Sequence, residues 1–549
     1  MATRTALRPG RSLRRLLLLG AALGAVALLS AGPASARRTQ VLRVGTYHGI
    51  HGQFKTIQGA VDHARRGDWV LVAPGDYHER GDRSHRPKGE RPPSGVLIRT
   101  AGIHLRGLSR NGVVVDGTKP GSPRCSSHRG AQDFGLPAKG RALGRNGIVV
   151  WKVSGVSVEN LTACNFLSGS GDAGNEIWWN GGDGSGKIGL GSFRGRYLNA
   201  TSTYYHGTGT AAGYGLFSSN SRGPGLWSHT YASNFDDSGY YIGACRRVCN
   251  QVIDHAWSEY SALGYSGTNS GGRLIVEHSE FDRNKDGFDT NSQNNDDWPS
   301  PQDGRCPGTR TSKITHTRSC WVFRDNYVHD NNNPNVPGRG SASAGPVGTG
   351  VSIAGGRFDT LLHNRIVNNG SWGVLMAPYP DDEQPPPGEH CQGGTSDTIL
   401  AGFGFTCTFD DWGNQIFHNT FRHNGFFGNP TNGDIGELTL INGKPINCYR
   451  GNSTPDGTSP PTAPQTQTKC GRIGTANNNL VLLAEAACNT ELDTSLCAPT
   501  DHYPRGTKVV MHPLPTRRLR TMPHPCAGVP RNPWCPGSRR HTGAPRFTG

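Results

Sequence analysis

Apolar positions along the chain come in short bursts separated by polar turns, at a spacing far longer than a helix or strand period. The recurring unit reads Asn or Asp, a brief turn, Gly, a short apolar strand, then polar turn residues. Its glycines are Gly215, Gly239, Gly264, Gly287, Gly350 and Gly373, at intervals of 24, 25, 23, 63 and 23 residues. The long interval holds two turn-rich stretches, 296–319 and 331–346, and without them it shrinks to 23. These stretches read as loops inserted into a single repeat. Such a period marks a solenoid, whose units cannot bury an apolar face alone and stack to do so. Gly and Asn inside each unit would weaken helices, so a helical repeat does not fit.

Side chains alternate across a strand. The residues after the glycines are Leu216, Tyr240, Tyr265, Phe288, Val351 and Val374, which predicts an inward stack. The next ones, Phe217, Tyr241, Ser266, Asp289, Ser352 and Leu375, then face outward. Second strands are expected at 273–276 and at 357–358, each after a Gly-Gly pair. Asn284, Asn326, Asn364, Asn368, Asn369, Asn419 and Asn424 fall at turns, where Asn tolerates left-handed backbone and bonds local backbone groups. The pattern predicts an all-β fold, a parallel β-helix with coils stacked over about 146–431.

A different pattern precedes the repeats. Ile57, Ala60, Val61 and Ala64 lie on one face of a helix, Gly67-Asp68 ends it, 69–72 reads as a strand and Pro74-Gly75-Asp76-Tyr77 as a turn. The stretch TIQGAVDHARRGDWVLVAPGDYHE, residues 56–79, resembles the amino-terminal cap of pectin-lyase-like right-handed parallel β-helix proteins. The resemblance implies that fold for about 41–450, within a domain taken as 37–450, with a helix plugging the open end of the solenoid. That superfamily includes polysaccharide lyases, hydrolases, esterases and uronate epimerases, so the resemblance selects a fold and not a reaction.

Residues 1–36 have a basic start, an apolar run and Ala34-Ser35-Ala36, the layout of a secretory signal peptide. The run is short for a membrane anchor. Secretion places the 14 Cys in an oxidising compartment, where sequential pairing is the economical expectation. The pairs are Cys125/Cys164, Cys245/Cys249, Cys306/Cys320, Cys391/Cys407, Cys448/Cys470, Cys488/Cys497 and Cys526/Cys535. Zinc is the alternative at Cys245 and Cys249. Residues 451–469, rich in Ser, Thr, Pro and Gly, read as a linker. Residues 470–549, rich in Pro and Arg, read as a disulfide-stapled cap or appendage. The 34% hydrophobic content and 78 Gly fit a thin core. Net charge is +16, of which the leader supplies five Arg, and this excess favours an acidic partner or only a solvated basic surface. There is no nucleic-acid motif, and a monomer is expected.

The densest acidic cluster is FDRNKDGFDTNSQNNDDW, residues 281–298. Asp289 should face outward, Asp286 sits at the entry of its strand, and Asp296 and Asp297 begin the inserted loop. One chemistry places Ca2+ on Asp286, Asp289, Asp296 and Asp297, since Ca2+ takes oxygen ligands. The ion would neutralise a uronate, and Lys285, Arg283, Arg324 or Arg357 would take its proton, giving a lyase or epimerase. The other uses one carboxylic acid to protonate a glycosidic oxygen and a second to activate water. Asn284-Lys285-Asp286-Gly287-Phe288-Asp289 is similar to the N-x-D-G-[IF]-D motif of polygalacturonase-type hydrolases, which implies a catalytic Asp286. The paired Asp, Gly-His-Gly and Arg-Ile-Lys of that family are missing at its spacings. Turn capping is the bland reading of Asp286. Phe217, Tyr241, Trp178 and Trp179 are candidate sugar platforms. His206, His229, His255, His329 and His363 are scattered along the sequence. The expected function is a secreted protein acting on acidic polysaccharide or cell-wall glycan; the alternative is a β-helix that binds glycans or the cell surface without catalysis.

Overall fold

The computed structural model describes residues 38–88, 90, 92–171, 174–183, 187–207, 210–243, 245, 248–292, 320–338, 344–381, 394–395, 400, 407–459 and 471–537. The expected leader 1–36 and most of the inserted loop lie outside them. The chain from Gln40 onward forms one compact unit. Among the described residues, strands gather into a 20-stranded and an 11-stranded sheet, with short two-stranded pairings beside them. Within the two large sheets every pairing is parallel, as in Leu216↔Tyr240, Tyr265↔Phe288 and Phe288↔Val351. A coil such as 225–243 contributes three strands: Gly225–Ser228, Tyr231–Ser233 and Ser238–Gly243. The first two lie in the large sheet and the third in the other. Pairing begins at Val41 and still holds at Ser459, so coils extend past both ends of the 146–431 estimate.

The glycine column falls where the repeat put it. The loop-bearing interval is a single coil, because Asp286 pairs directly with Thr349. A Cβ on Gly287 would lie 2.5 Å from the Gly350 carbonyl oxygen and 2.7 Å from Asn331, so close approach explains the glycine. The expected inward residues Leu216, Tyr240, Tyr265, Phe288, Val351 and Val374 are all at most 1% exposed. The Tyr265 and Phe288 rings stack 4.3 Å apart.

Three local expectations change. Residues 75–77 form a strand, Gly75–Tyr77, paired with Val113–Val115 and not a turn. The strand expected at 357–358 starts later, at Thr360, because Phe358 adopts φ 59° and Arg357 is buried. The turn asparagines Asn284, Asn326, Asn364, Asn369, Asn419 and Asn424 are buried, and of those named only Asn368 takes positive φ. They build ladders. Asn284 Nδ2 donates to Asn331 (3.1 Å), Asn331 to Asn369 (3.3 Å) and Asn369 to Asn424 (3.1 Å). A second ladder runs Asn326, Asn364, Asn419 and Asn452. Each amide serves the coil above and the coil below, so a buried polar group stays satisfied.

Helix α1 (Ile57–His63) closes the first coil, with Ile57, Ala60, Val61 and Ala64 all buried. Four disulfides match the sequential pairing: Cys125–Cys164, Cys245–Cys249, Cys488–Cys497 and Cys526–Cys535. The second of these removes the zinc alternative. Cys320, Cys407 and Cys448 are also disulfide-bonded, while Cys306, Cys391 and Cys470 lie outside the described residues. No helix among the described residues is long and apolar enough to cross a membrane.

Beyond the coils, helix α2 (Leu480–Asn489) packs on the outer face of the smaller sheet, burying Leu482 against Trp372 and Leu375. From there the chain runs back along the whole solenoid as a strap. Asn432 Nδ2 donates to Tyr503 at 3.2 Å, and Lys508 N–H donates to Asn335 Oδ1 at 3.0 Å. His512 N–H and Asn234 Oδ1 are 3.0 Å apart, and Arg106 donates to the Ala527 carbonyl at 2.6 Å. Trp534 ends the strap on the first coils, donating to the Ile50 carbonyl (3.0 Å) and packing with Trp69 and Leu71.

Candidate functional site

Asp286 and Asp289 share the strand Asp286–Asn291. The neighbouring strand brings Ser352 into register with Asp289. Both carboxylates reach that serine: Ser352 Oγ lies 2.7 Å from Asp286 Oδ2 and 2.7 Å from Asp289 Oδ1. A hydroxyl has a single hydrogen to donate. One of the two contacts must therefore be donated by a carboxylic acid, and the trio carries a shared proton. Burial identifies where it sits. Asp286 is 0% exposed, and burial, followed by the nearby Asp289 charge, pushes its pKa well above the usual range. Burial raises Asp289 to about 6, opposed by hydrogen bonds from Ser352 and Asn291. Asn291 Nδ2 donates to Asp289 Oδ2 at 2.8 Å. The chain of bonds thus runs from the Asp286 acid to Ser352, then from Ser352 to Asp289.

Asp289 borders a groove of about 660 Å³ on the outer face of the smaller sheet. Its floor includes Tyr241, Ser266, Asp289, Ser352 and Leu375, all from the outward column, and Leu483, Ala486 and Thr490 form one wall. Asp286 does not line it, so the residue matched to the hydrolase motif sits behind the surface, in contact with Ser352. Among the described residues, no Lys, Arg or His lines the groove. Lys285 is not among the groove residues, and burial lowers its pKa against the opposing charges of Glu491 and Asp286. Arg283 pairs with Asp282 and Glu259, and Arg324 pairs with Glu277. Arg357 is buried 3.6 Å over the Trp412 ring.

Tyr214 and Tyr241 continue the floor into an aromatic patch with Phe217, whose ring is stacked 5.1 Å from Trp178. Trp179 does not join it: its side chain is 0% exposed and stacks on Phe193 in the core. Of the histidines, His229 and His255 come together, stacked 4.8 Å apart, while His329 stacks on Tyr327. The expected ligands Asp296 and Asp297 lie outside the described residues. Ca2+ takes six to eight oxygens. Asp286, Asp289 and Ser352 offer oxygen donors of the right kind, yet fewer than that number, and they hold a proton that a cation would have to displace. Ser352 was legible as an outward residue, but its role needed the strand register. The α2 wall had no signal in the repeat.

No family model matches the chain, and no curated protein matches it. Among solved structures, the Azotobacter vinelandii mannuronan C-5 epimerase AlgE4 A-module is 12% identical, with TM-score 0.41 over 72% of this chain and 90% of that one. Bacteriophage CBA120 tailspike protein 2 is 9% identical, with TM-score 0.39 over 76% and 52%. Pectin methylesterase from Yersinia enterocolitica is 14% identical, with TM-score 0.27 over 50% and 80%. The chain is a right-handed parallel β-helix: its strands stack in parallel register coil over coil, and parallel crossovers are almost always right-handed.

Proposed function

We propose that the protein is a secreted carbohydrate-active enzyme that seats a polysaccharide chain in the groove and cleaves it with Asp289 as proton donor. The observation that carries the reading is Ser352 Oγ at 2.7 Å from both carboxyl groups. It couples a groove-facing carboxyl near pKa 6 to a buried acid behind it. A general acid works best with a pKa close to the working pH. The proton held on Asp286 would pass through the Ser352 hydroxyl to Asp289, which delivers it to the glycosidic oxygen as the anomeric C–O bond breaks; water adds to the anomeric carbon and its spare proton returns to the carboxyl pair through solvent. Asp286 is a positioning residue that holds the shared proton through Ser352. Tyr214 and Tyr241 offer faces for sugar rings. The lack of described cations along the groove favours a neutral chain at this point over a uronate.

The second reading is the lyase or epimerase, with Asp289 ionised and acting as base. Its support is the pKa near 6, which leaves Asp289 largely ionised at neutral pH, and the net charge of +16. Ca2+ belongs to that reading, which needs the substrate carboxylate neutralised. No step of the first reading passes through a metal.

The test incubates the full chain with neutral and acidic polysaccharides, with Ca2+ and with chelator. New reducing ends, unsaturated-uronate absorbance and proton exchange are followed separately. The first reading expects reducing ends without absorbance, resistant to chelation, and lost by about 100-fold or more in Asp289→Asn. Absorbance or exchange that needs Ca2+ would replace it with the second. Glycan binding with no turnover, unchanged in Asp289→Asn, would leave a binding protein.

A further inference from the structure

A corner of the solenoid away from the groove carries a row of imidazoles that the glycan reading does not use. From the coil of His229 onward, the large sheet bends in each coil through one residue with positive φ: His229 (55°), His255 (53°), His278 (49°), Asp325 (55°), His363 (55°), His418 (52°) and Gly451 (61°). Left-handed backbone is strained for a full side chain and is commonly filled by Gly or Asn. Here five of the seven positions hold His. Parallel register places equivalent residues over one another, so the rings form a ladder. His229 and His255 are 4.8 Å apart, and His255 and His278 are 5.3 Å apart.

Asp254 stands beside this ladder and binds two of its rungs. Its Oδ1 lies 2.7 Å from His255 Nδ1 and 3.0 Å from His278 Nδ1. Candidate ligand atoms of the three residues all lie within 4.8 Å of one another. Both imidazoles are 48% exposed and the carboxylate 25%, so the cluster is open to solvent. Asp254 and His255 belong to one coil and His278 to the next, since Asp254 pairs with Glu277.

We propose that Asp254, His255 and His278 form a binding site for one divalent transition-metal ion of the zinc type, clamping two adjacent coils. Two imidazole nitrogens and a carboxylate oxygen suit such an ion, whereas Ca2+ prefers oxygen alone. Tetrahedral bonds of about 2.0–2.1 Å set neighbouring ligand atoms about 3.3 Å apart. The two carboxylate–imidazole contacts would widen by about 0.3–0.6 Å and the ligand atoms, now within 4.8 Å of one another, would draw to about 3.3 Å, which half-exposed side chains can do. The ion replaces the two ring N–H···O contacts: each Nδ1 proton leaves and each ring keeps one proton on Nε2, so that both ligands are neutral imidazoles. Three protein ligands leave a fourth position for water. Two other His-containing groups reach such spacing among the described residues. In Asp76, His78 and Asp116, Asp116 is 0% exposed and already accepts from the Thr118 and Cys125 N–H groups. The group Glu280, Asp282 and His329 is also a poorer candidate. There Asp282 is 0% exposed and already held by Arg283 and the Trp257 indole N–H.

The full chain without any added histidine tag would be titrated with Zn2+ by calorimetry and with Co2+ by visible absorption. The expected result is saturation at one ion per chain, with a tetrahedral-type Co2+ spectrum and a higher melting temperature with Zn2+. His255→Gln and His278→Gln should each weaken binding by about 10-fold or more, given that even outer-shell changes cost about 10–100-fold. His363→Gln, on the same row but outside the cluster, should bind as the parent does. Circular dichroism confirms that each variant is folded. Absence of saturable Zn2+ binding, or equal binding in the His255→Gln/His278→Gln double variant, would overturn the proposal.

Discussion

Phe288 and Asp289 are neighbours in sequence and belong to opposite faces of one strand. The column through Phe288 reads Leu216, Tyr240, Tyr265, Phe288, Val351 and Val374, apolar or aromatic throughout and at most 1% exposed. The column through Asp289 reads Phe217, Tyr241, Ser266, Asp289, Ser352 and Leu375, and its chemistry changes from aromatic to acidic to aliphatic along the axis. The inner face is governed by volume, because each coil must fill the same cross-section. The outer face answers to no repeat, so each coil is free to contribute a different group. In a solenoid, chemistry is therefore to be sought where the outward column departs from itself.

The largest expected effect breaks the inner column. Phe288 stacks on Tyr265 and packs 4.2 Å, centroid to centroid, from the Phe323 ring. Phe288→Ala should destabilise folding by about 3–5 kcal/mol. Urea unfolding measures it; a loss under about 1 kcal/mol would mean that the coils do not need a common interior volume.

Asp289 bears on the outer column through pH. Its folded pKa of about 6 exceeds the ordinary 3.8, so the folded protein holds the proton more tightly than the unfolded chain. Below the unfolded value both states are protonated and burial of the acid costs little. As pH rises from 4 to 6 the unfolded chain ionises first, and stability falls by up to about 3 kcal/mol, then stays level. Asp286, raised further, adds a fall that begins at the same pH, where the unfolded chain ionises, and runs on to higher pH. Asp289→Asn should remove the Asp289 share of the fall, so the variant gains on the parent between pH 4 and 6. A stability difference that does not change with pH would sink the assignment of a raised Asp289.

Asn331 tests the ladders that hold the columns apart. Its amide donates to the Phe281 carbonyl at 3.0 Å as well as to Asn369, and its Oδ1 accepts from Asn284. Asn331→Ala should cost about 1–3 kcal/mol by leaving these buried groups unpaired. Asn368→Ala, on the neighbouring position, should cost less than that.

How far these features were legible follows from the same division. The inner column and α1 could be read because apolar residues recur at fixed places. The ladders were legible only as composition: Asn was expected in left-handed turns, yet most of those positions went to the preceding residues, such as Asp325, His363 and His418. Ser352 stood in the predicted outward column, but its bridge depends on skipping an inserted loop. The strap and the α2 wall have no period, and their partners lie far away in sequence, as with His512 and Asn234. The pairing of His255 with His278 needed the coil register, which turns residues 23 apart into neighbours.

The smallest expected effect is the sharpest test, because it uses two consecutive tyrosines. Tyr240 faces inward and its hydroxyl donates to Thr230 Oγ1 at 2.9 Å. Tyr241 lines the groove and meets Phe217 edge-on at 4.9 Å. Tyr240→Phe should lower stability by about 0.5–1.5 kcal/mol, since it leaves the Thr230 hydroxyl without its donor, and should leave glycan affinity alone. Tyr241→Ala should weaken glycan binding by about 0.5–1.5 kcal/mol, up to roughly 10-fold, through loss of a stacking face. Unfolding and binding measured on both variants separate the faces. If Tyr240→Phe moves affinity as much as Tyr241→Ala does, the inner and outer columns are not independent and the groove cannot be read from outward residues alone.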